Sequence, residues 1–238
     1  ILLYLFNKNE FSVFVQSNVD EVTNNDKMMD YGRKMFYTSV IGFISAQALS
    51  FIISIKLPPE EVGAYNILLT LTGITTFLLI NLNKVFAPAI SKLYQENNFT
   101  ELQDLYKKTT FIVNILTIPL VILIALFSDE ILVLYTEKML FYKRFLFFML
   151  MGGIFSLATG SSGTIMMMAG LEHKFLNIQI LRSVSIIILS LVLIPIYGMI
   201  SVVSLYVFFM LLTNVIQLLY IKKAINISPF SSDLLKLF

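Results

Sequence analysis

Arg182 stands alone in a stretch, Phe175 to Ile221, that carries no other charge. A guanidinium stays protonated, and its planar fork of donors suits phosphate oxygens. It follows Lys174 by eight residues, so it sits roughly 12 Å further along a helix that rises 1.5 Å per residue. At depth in a hydrocarbon core an arginine costs about 2.5–3.5 kcal/mol on insertion scales, and such residues face a bundle interior or an aqueous cavity. The plainer alternative is a long side chain that snorkels back to the interface.

A second group recurs at helical spacing. Asn66, Thr70, Gly73, Phe77, Asn81 and Lys84 follow one another at intervals of four, three, four, four and three, which places them on one helix face. At Thr70 and Gly73 the expectation is helix packing through small and hydroxyl residues. At Asn81 and Lys84 it is a cavity. Arg182, helped by Lys84, would attract an anionic group such as a phosphate, and Asn66, Asn81, Asn83 and Gln179 would line a wet path. Nothing else competes for the chemistry. There is no cysteine, the only histidine is His173, and all fifteen acidic residues fall in loops or at span edges. Glu60, Glu61, Asp129 and Glu130 are expected to be interfacial and solvated. No catalytic residue, metal ligand set or cofactor is implied, and the chain is not expected to be an enzyme.

Hydrophobic residues make up 57% of the chain, charged residues 13%, and the mean hydropathy is +0.82. Soluble domains keep roughly a quarter of their residues charged. The elements that position the site are therefore membrane helices, each needing about 20 mostly apolar residues. Uncharged runs lie between Lys34 and Lys56, from Val62 to Asn83, from Thr109 to Ser128 and from Phe145 to Leu171. The last stretch, Phe175 to Ile221, is divided in two by Pro195-Ile196-Tyr197-Gly198, a turn signal. The fold class is all-α, a polytopic bundle of six transmembrane helices over residues 33–223. Residues 1–6 read as the end of a preceding transmembrane helix, 7–32 as a cytoplasmic linker, and 224–238 as a cytoplasmic tail or the lead-in to further helices. The chain is expected to be a segment of a longer protein.

Lysines and arginines set the orientation. Lys27, Arg33, Lys34, Lys84, Lys92, Lys107, Lys108, Lys174, Lys222, Lys223 and Lys236 share one side, against Lys56, Lys138, Lys143 and Arg144 on the other. The richer side is cytoplasmic by the positive-inside rule, and Tyr37, Tyr65, Tyr94, Tyr135 and Tyr220 are expected at the interfaces. The second span is expected to break at Pro88. Thr100 and Gln103 have capping-box spacing. They would open a short surface helix with Leu102, Leu105 and Tyr106 on its apolar face, stopped by Lys107 and Lys108. Pro119 is expected to kink the third span. Gly152, Gly153, Ser156, Thr159, Gly160, Gly163 and Thr164 are expected to permit close approach and bending in the fourth. Met166, Met167 and Met168 read as apolar filling or as an adaptable lipid-contacting surface.

Several strings resemble a known family. Glu61-Val62-Gly63-Ala64-Tyr65-Asn66 is similar to the acidic-Val-Gly-x-Tyr opening of a span in bacterial polysaccharide-biosynthesis flippases, relatives of the MATE drug exporters. Phe86-Ala87-Pro88-Ala89-Ile90-Ser91-Lys92-Leu93-Tyr94 with Leu102 to Thr109 resembles a loop of their C-terminal lobe. Leu193-Ile194-Pro195-Ile196-Tyr197-Gly198-Met199-Ile200 resembles their turn, with Ser201 in place of the usual glycine. The resemblance covers nearly all of residues 31–228. It implies one lobe of a MATE-like two-lobe transporter that carries an undecaprenyl-pyrophosphate-linked oligosaccharide across a bacterial cytoplasmic membrane by alternating access, for O-antigen, capsule or other surface polysaccharide. The implied partners are that substrate, membrane lipids and an N-terminal lobe of the same protein, with no nucleic acid. A MATE-type multidrug or cation antiporter and a membrane-embedded glycan-processing enzyme are the alternatives.

Overall fold

The computed structural model describes residues 25–230. The readings for residues 1–6, for 7–24 and for 231–238 lie outside the described residues. Helices run from Asn25–Lys56 (α1), Pro59–Thr72 (α2), Ile74–Gln95 (α3), Phe99–Leu126 (α4), Ser128–Val133 (α5), Lys143–Ala158 (α6), Ser162–Met168 (α7), Glu172–Tyr197 (α8) and Met199–Ile225 (α9), with a 3-10 turn at Glu137–Tyr142. Six segments are long and apolar enough to cross a membrane: Gly32–Lys56, α3, α4, Glu137–Ala158, α8 and α9. The architecture is all-helical, as expected. Residues 25–32 of the expected linker are helical and form the first turns of α1.

The long helices pair as neighbours, α1 on α8, α3 on α4, and α9 on both α8 and α6. α3–α4 and α8–α9 are antiparallel hairpins, whereas α1 runs parallel to α8, with Lys34 beside Glu172, and α6 parallel to α9, with Gly152 against Val207 and Ser156 against Asn214. Two apolar clusters hold them. One lies toward the lysine-poor end and gathers Ile53, Tyr65, Leu68, Leu132, Leu146, Met149, Val202 and Val203. The other, toward the lysine-rich end, gathers Phe86, Ile90, Leu102, Tyr106, Ile165, Met166, Phe175 and Ile221. Met166 is inside that core and Met167 and Met168 pack against it, which is the filling role.

Three local expectations change. Pro88 does not break its helix, because α3 runs through it to Gln95. A proline removes one ladder hydrogen bond. Phe86 and Ile90, buried on either side of it, hold the segment helical. The hairpin to α4 is turned by two asparagines instead. Asn97 is left-handed at φ 55°, and Asn98 N donates to Leu93 O at 3.0 Å, the bond pattern that closes a helix C-terminus. Asn98 then caps α4 by accepting from Glu101 N at 3.2 Å, so Thr100 is not the cap. There is also no separate surface helix. Leu102 and Tyr106 are buried in the opening turns of α4, and an apolar stripe looks the same whether a lipid surface or a helix bundle covers it.

Gln103 is occupied elsewhere. Its Oε1 accepts from Ser228 N at 2.8 Å and its Nε2 donates to Ser228 O. The chain after α9 is thereby pinned to α4, with Ile227 in the core.

The second expected span is divided at Gly73 into α2 and α3, and the fourth at Thr159–Ser161 into α6 and α7. Gly160 adopts φ 58° there, and a Cβ on it would overlap the Thr110 hydroxyl. Gly153 faces Thr75 and Gly152 faces Val207, each 2.8 Å from where a Cβ would stand. Close approach and bending in the fourth span are both present. α4 runs unbroken through Pro119. α8 continues through Pro195 to Tyr197, leaving Gly198 alone, at φ 58°, to make the turn.

Candidate functional site

Arg182 lies in α8 between α1 and α9, the helices that pack on it. It is half-buried, and its guanidinium lies within electrostatic reach of the phenols of Tyr206 and Tyr65. Tyr65 comes from α2 and is only 2% exposed, so it is a core residue and not an interfacial one as its position near a span end suggested. Tyr206 comes from α9, and Thr72, the last residue of α2, turns its hydroxyl to Leu68 O of its own helix at 2.8 Å. Among the described residues Arg182 has no hydrogen bond and no ion pair. A cation that is partly withdrawn from water and left unneutralised needs water or an anion.

Gln179 precedes Arg182 by one helical turn on the same face and is also half-buried. The other expected residues form a separate group. Asn66, Asn81 and Lys84 are exposed on α2 and α3, as are Thr70 and Phe77. Thr70 therefore does not pack between helices; its hydroxyl donates to Asn66 O at 2.9 Å. Asn81 Nδ2 donates to Phe77 O at 2.7 Å on its own helix. Asn83 is turned further in, and its Oδ1 is buried with no partner. Lys84 has no hydrogen bond or ion pair among the described residues. It stands roughly 28 Å along the α2–α3 path from Tyr65 at 1.5 Å per residue. The structure thus brings Gln179 together with Arg182, and Asn81 together with Lys84, in two places.

The sequence reading missed the approach of Tyr65 and Tyr206 to Arg182. Tyr206 carried a usable signal, since it lies well inside an apolar span where a polar-tipped ring needs a partner.

A polar seam crosses the α6–α7 break. Tyr106 Oη donates to Thr159 O at 2.6 Å, and Asn114 Nδ2 donates to Thr110 O at 2.7 Å and Leu157 O at 3.1 Å. Asn214 Nδ2 reaches Ser156 Oγ at 2.8 Å, and Ser162 Oγ reaches Gln217 Oε1 at 2.9 Å. In a bilayer the backbone groups freed by a break must be satisfied by neighbouring helices, and this seam does so.

The acidic residues at the lysine-poor end are mostly solvated. Glu60 pairs with Lys138 at 3.0 Å and Asp129 with Lys143 at 2.7 Å. Glu61 departs from the expectation, since its Oε2 is buried without a partner below the Gly198 turn. Among the described residues no three His, Asp or Glu side chains gather where they could hold a metal ion.

No curated protein and no solved structure matches the chain at a significant level. The sequence profile of a family described as "Polysaccharide biosynthesis protein" matches residues 14–143. That segment contains Tyr65, Asn66, Asn81, Asn83 and Lys84, whereas Gln179, Arg182 and Tyr206 follow it. With more than half of its residues in that match and six helices fit to cross a membrane, this multi-pass membrane chain belongs to the polysaccharide biosynthesis protein family.

Proposed function

We propose that the chain is one lobe of a flippase that moves undecaprenyl-pyrophosphate-linked oligosaccharides across a bacterial cytoplasmic membrane. The observation that carries this reading is the half-buried guanidinium of Arg182, which no carboxylate neutralises. A pyrophosphate supplies the missing counter-charge through bidentate contacts. The exposed polar stripe from Asn66 to Lys84 adds support, because a membrane-length helix tolerates such a face only against water or protein. In this reading the stripe and a second lobe of the same protein enclose a wet sugar path. Lys84 draws the anion in from the lysine-rich end, Arg182 holds it deeper, and the two lobes rock to expose the path alternately. The chemistry is transport, with no bond made or broken.

The rival, a drug or cation antiporter, rests on Glu61, whose buried carboxylate oxygen lacks a partner. The two readings separate in cells. With Arg182→Ala in the full-length protein, lipid-linked intermediates accumulate and surface polysaccharide falls, while Glu61→Gln leaves both unchanged. Normal surface polysaccharide in Arg182→Ala cells would refute the flippase. Loss of drug resistance in Glu61→Gln cells would favour the antiporter.

A further inference from the structure

Lys34 and Glu172 tie the foot of one span to the foot of another. Lys34 stands at the start of the membrane-length part of α1, and Glu172 is the first residue of α8. Lys34 Nζ lies 3.3 Å from Glu172 Oε1, and the two side chains are only 12% and 17% exposed. The pair closes the lysine-rich end of the seam along which α1 and α8 pack. Glu172 shares its helix face with Gln179, seven residues or two turns further on. Arg182 follows Glu172 by ten residues, roughly 15 Å along the helix. The ion pair thus lies below Gln179 and Arg182 on the side from which an anion would arrive.

Well-packed apolar side chains often hold two helices as firmly as a buried ion pair does, so attraction alone does not account for these charges. Resting on the reading of Arg182 as the anion-holding residue, we propose that Lys34 is a second anion-binding residue, masked by Glu172 until a pyrophosphate arrives. The phosphate oxygens take the place of the carboxylate on the ammonium, one charge-assisted contact exchanged for another. Glu172 is not stranded by the exchange, because the first-turn amides and the dipole of α8 still favour a negative charge there. The foot of α1 parts from α8, and the head group passes along the Glu172–Gln179 face to Arg182. Lys34 returns to Glu172 behind it.

The test uses the purified full-length protein in lipid nanodiscs, with polyprenyl pyrophosphate and neutral polyprenol as paired probes. Calorimetric binding gives the ratio of their affinities, and unfolding midpoints are recorded alongside. Lys34→Gln and Glu172→Gln break the same ion pair, so a purely structural pair makes both move the ratio alike. The masked site requires opposite signs. Lys34→Gln should lower the ratio about threefold or more and Glu172→Gln should raise it about threefold or more, the scale of a partly exposed ion pair. In the Lys34→Gln background, Glu172→Gln should change nothing, because its gain acts through Lys34. Lys34→Arg should keep the wild-type ratio. Shifts of one sign, or a gain from Glu172→Gln that survives without Lys34, would overturn the masked site and leave the flippase reading standing. An Arg182→Gln protein that keeps the wild-type ratio would overturn both.

Discussion

Gly160 offers the sharpest test of the bundle. It sits at the α6–α7 break with φ 58°, where an alanine costs roughly 1–2 kcal/mol on backbone strain alone. A Cβ would also stand 2.9 Å from Thr110 Cβ and 3.0 Å from its Cγ2, and would overlap Oγ1. Thr110 cannot step aside easily, because its hydroxyl is bonded to Tyr106 O at 2.8 Å. Overpacking of this kind adds about 1–3 kcal/mol, so Gly160→Ala should destabilise by about 2–5 kcal/mol. Gly63 is the control. It lies in the α2 helix with nothing within 4 Å of a Cβ, and Gly63→Ala should stabilise by up to about 1 kcal/mol through helix propensity. Equilibrium unfolding in mixed micelles measures both. Thr110→Ala in the Gly160→Ala background should recover the part of the steric cost set by Oγ1 and Cγ2, but neither the remaining Cβ contact nor the strain, giving a coupling of about 1 kcal/mol in the double-mutant cycle. Equal stability of the two alanine variants would refute the break as described.

Three further outcomes follow from the contacts. Tyr106→Phe strands the Thr159 carbonyl, which now accepts at 2.6 Å, and should cost about 1–3 kcal/mol in the same unfolding assay. Gln103→Ala removes both bonds to Ser228, and hydrogen exchange at the Ser228 amide should accelerate at least tenfold while the α4 core amides are unchanged. The Lys34–Glu172 pair, at 12% and 17% side-chain exposure, should show a coupling of about 1 kcal/mol or more in a double-mutant cycle. The Lys138–Glu60 pair, at 74% and 71%, should stay near the bottom of the range for exposed pairs, at a few tenths of a kcal/mol, and vanish in high salt.

The six spans were legible because lipid demands long uncharged runs, and these are visible without knowing what touches what. Gly160 and its neighbours signalled bending for the same reason, since small residues matter wherever backbones meet. Context decided the rest. Leu102 and Tyr106 form an apolar stripe that fits a membrane surface as well as a bundle, and only the bond from Tyr106 to Thr159 O, fifty-three residues away, separates the two. Pro88 carried a strong breaker signal that Phe86 and Ile90 override by burial. Arg182 was visible as a lone charge in an apolar helix. Its phenol neighbours come from α2 and α9, and pairings between helices leave no mark on local spacing.

The central claim is that Arg182 holds the anionic head of the substrate. Its most direct test is reconstitution of the full-length protein in vesicles with a fluorescent polyprenyl-pyrophosphate oligosaccharide, read as the fraction that reaches the opposite leaflet with time. Arg182→Gln should slow transfer at least tenfold, with an unfolding midpoint close to wild type. Transfer at the wild-type rate by a well-folded Arg182→Gln protein would contradict the account.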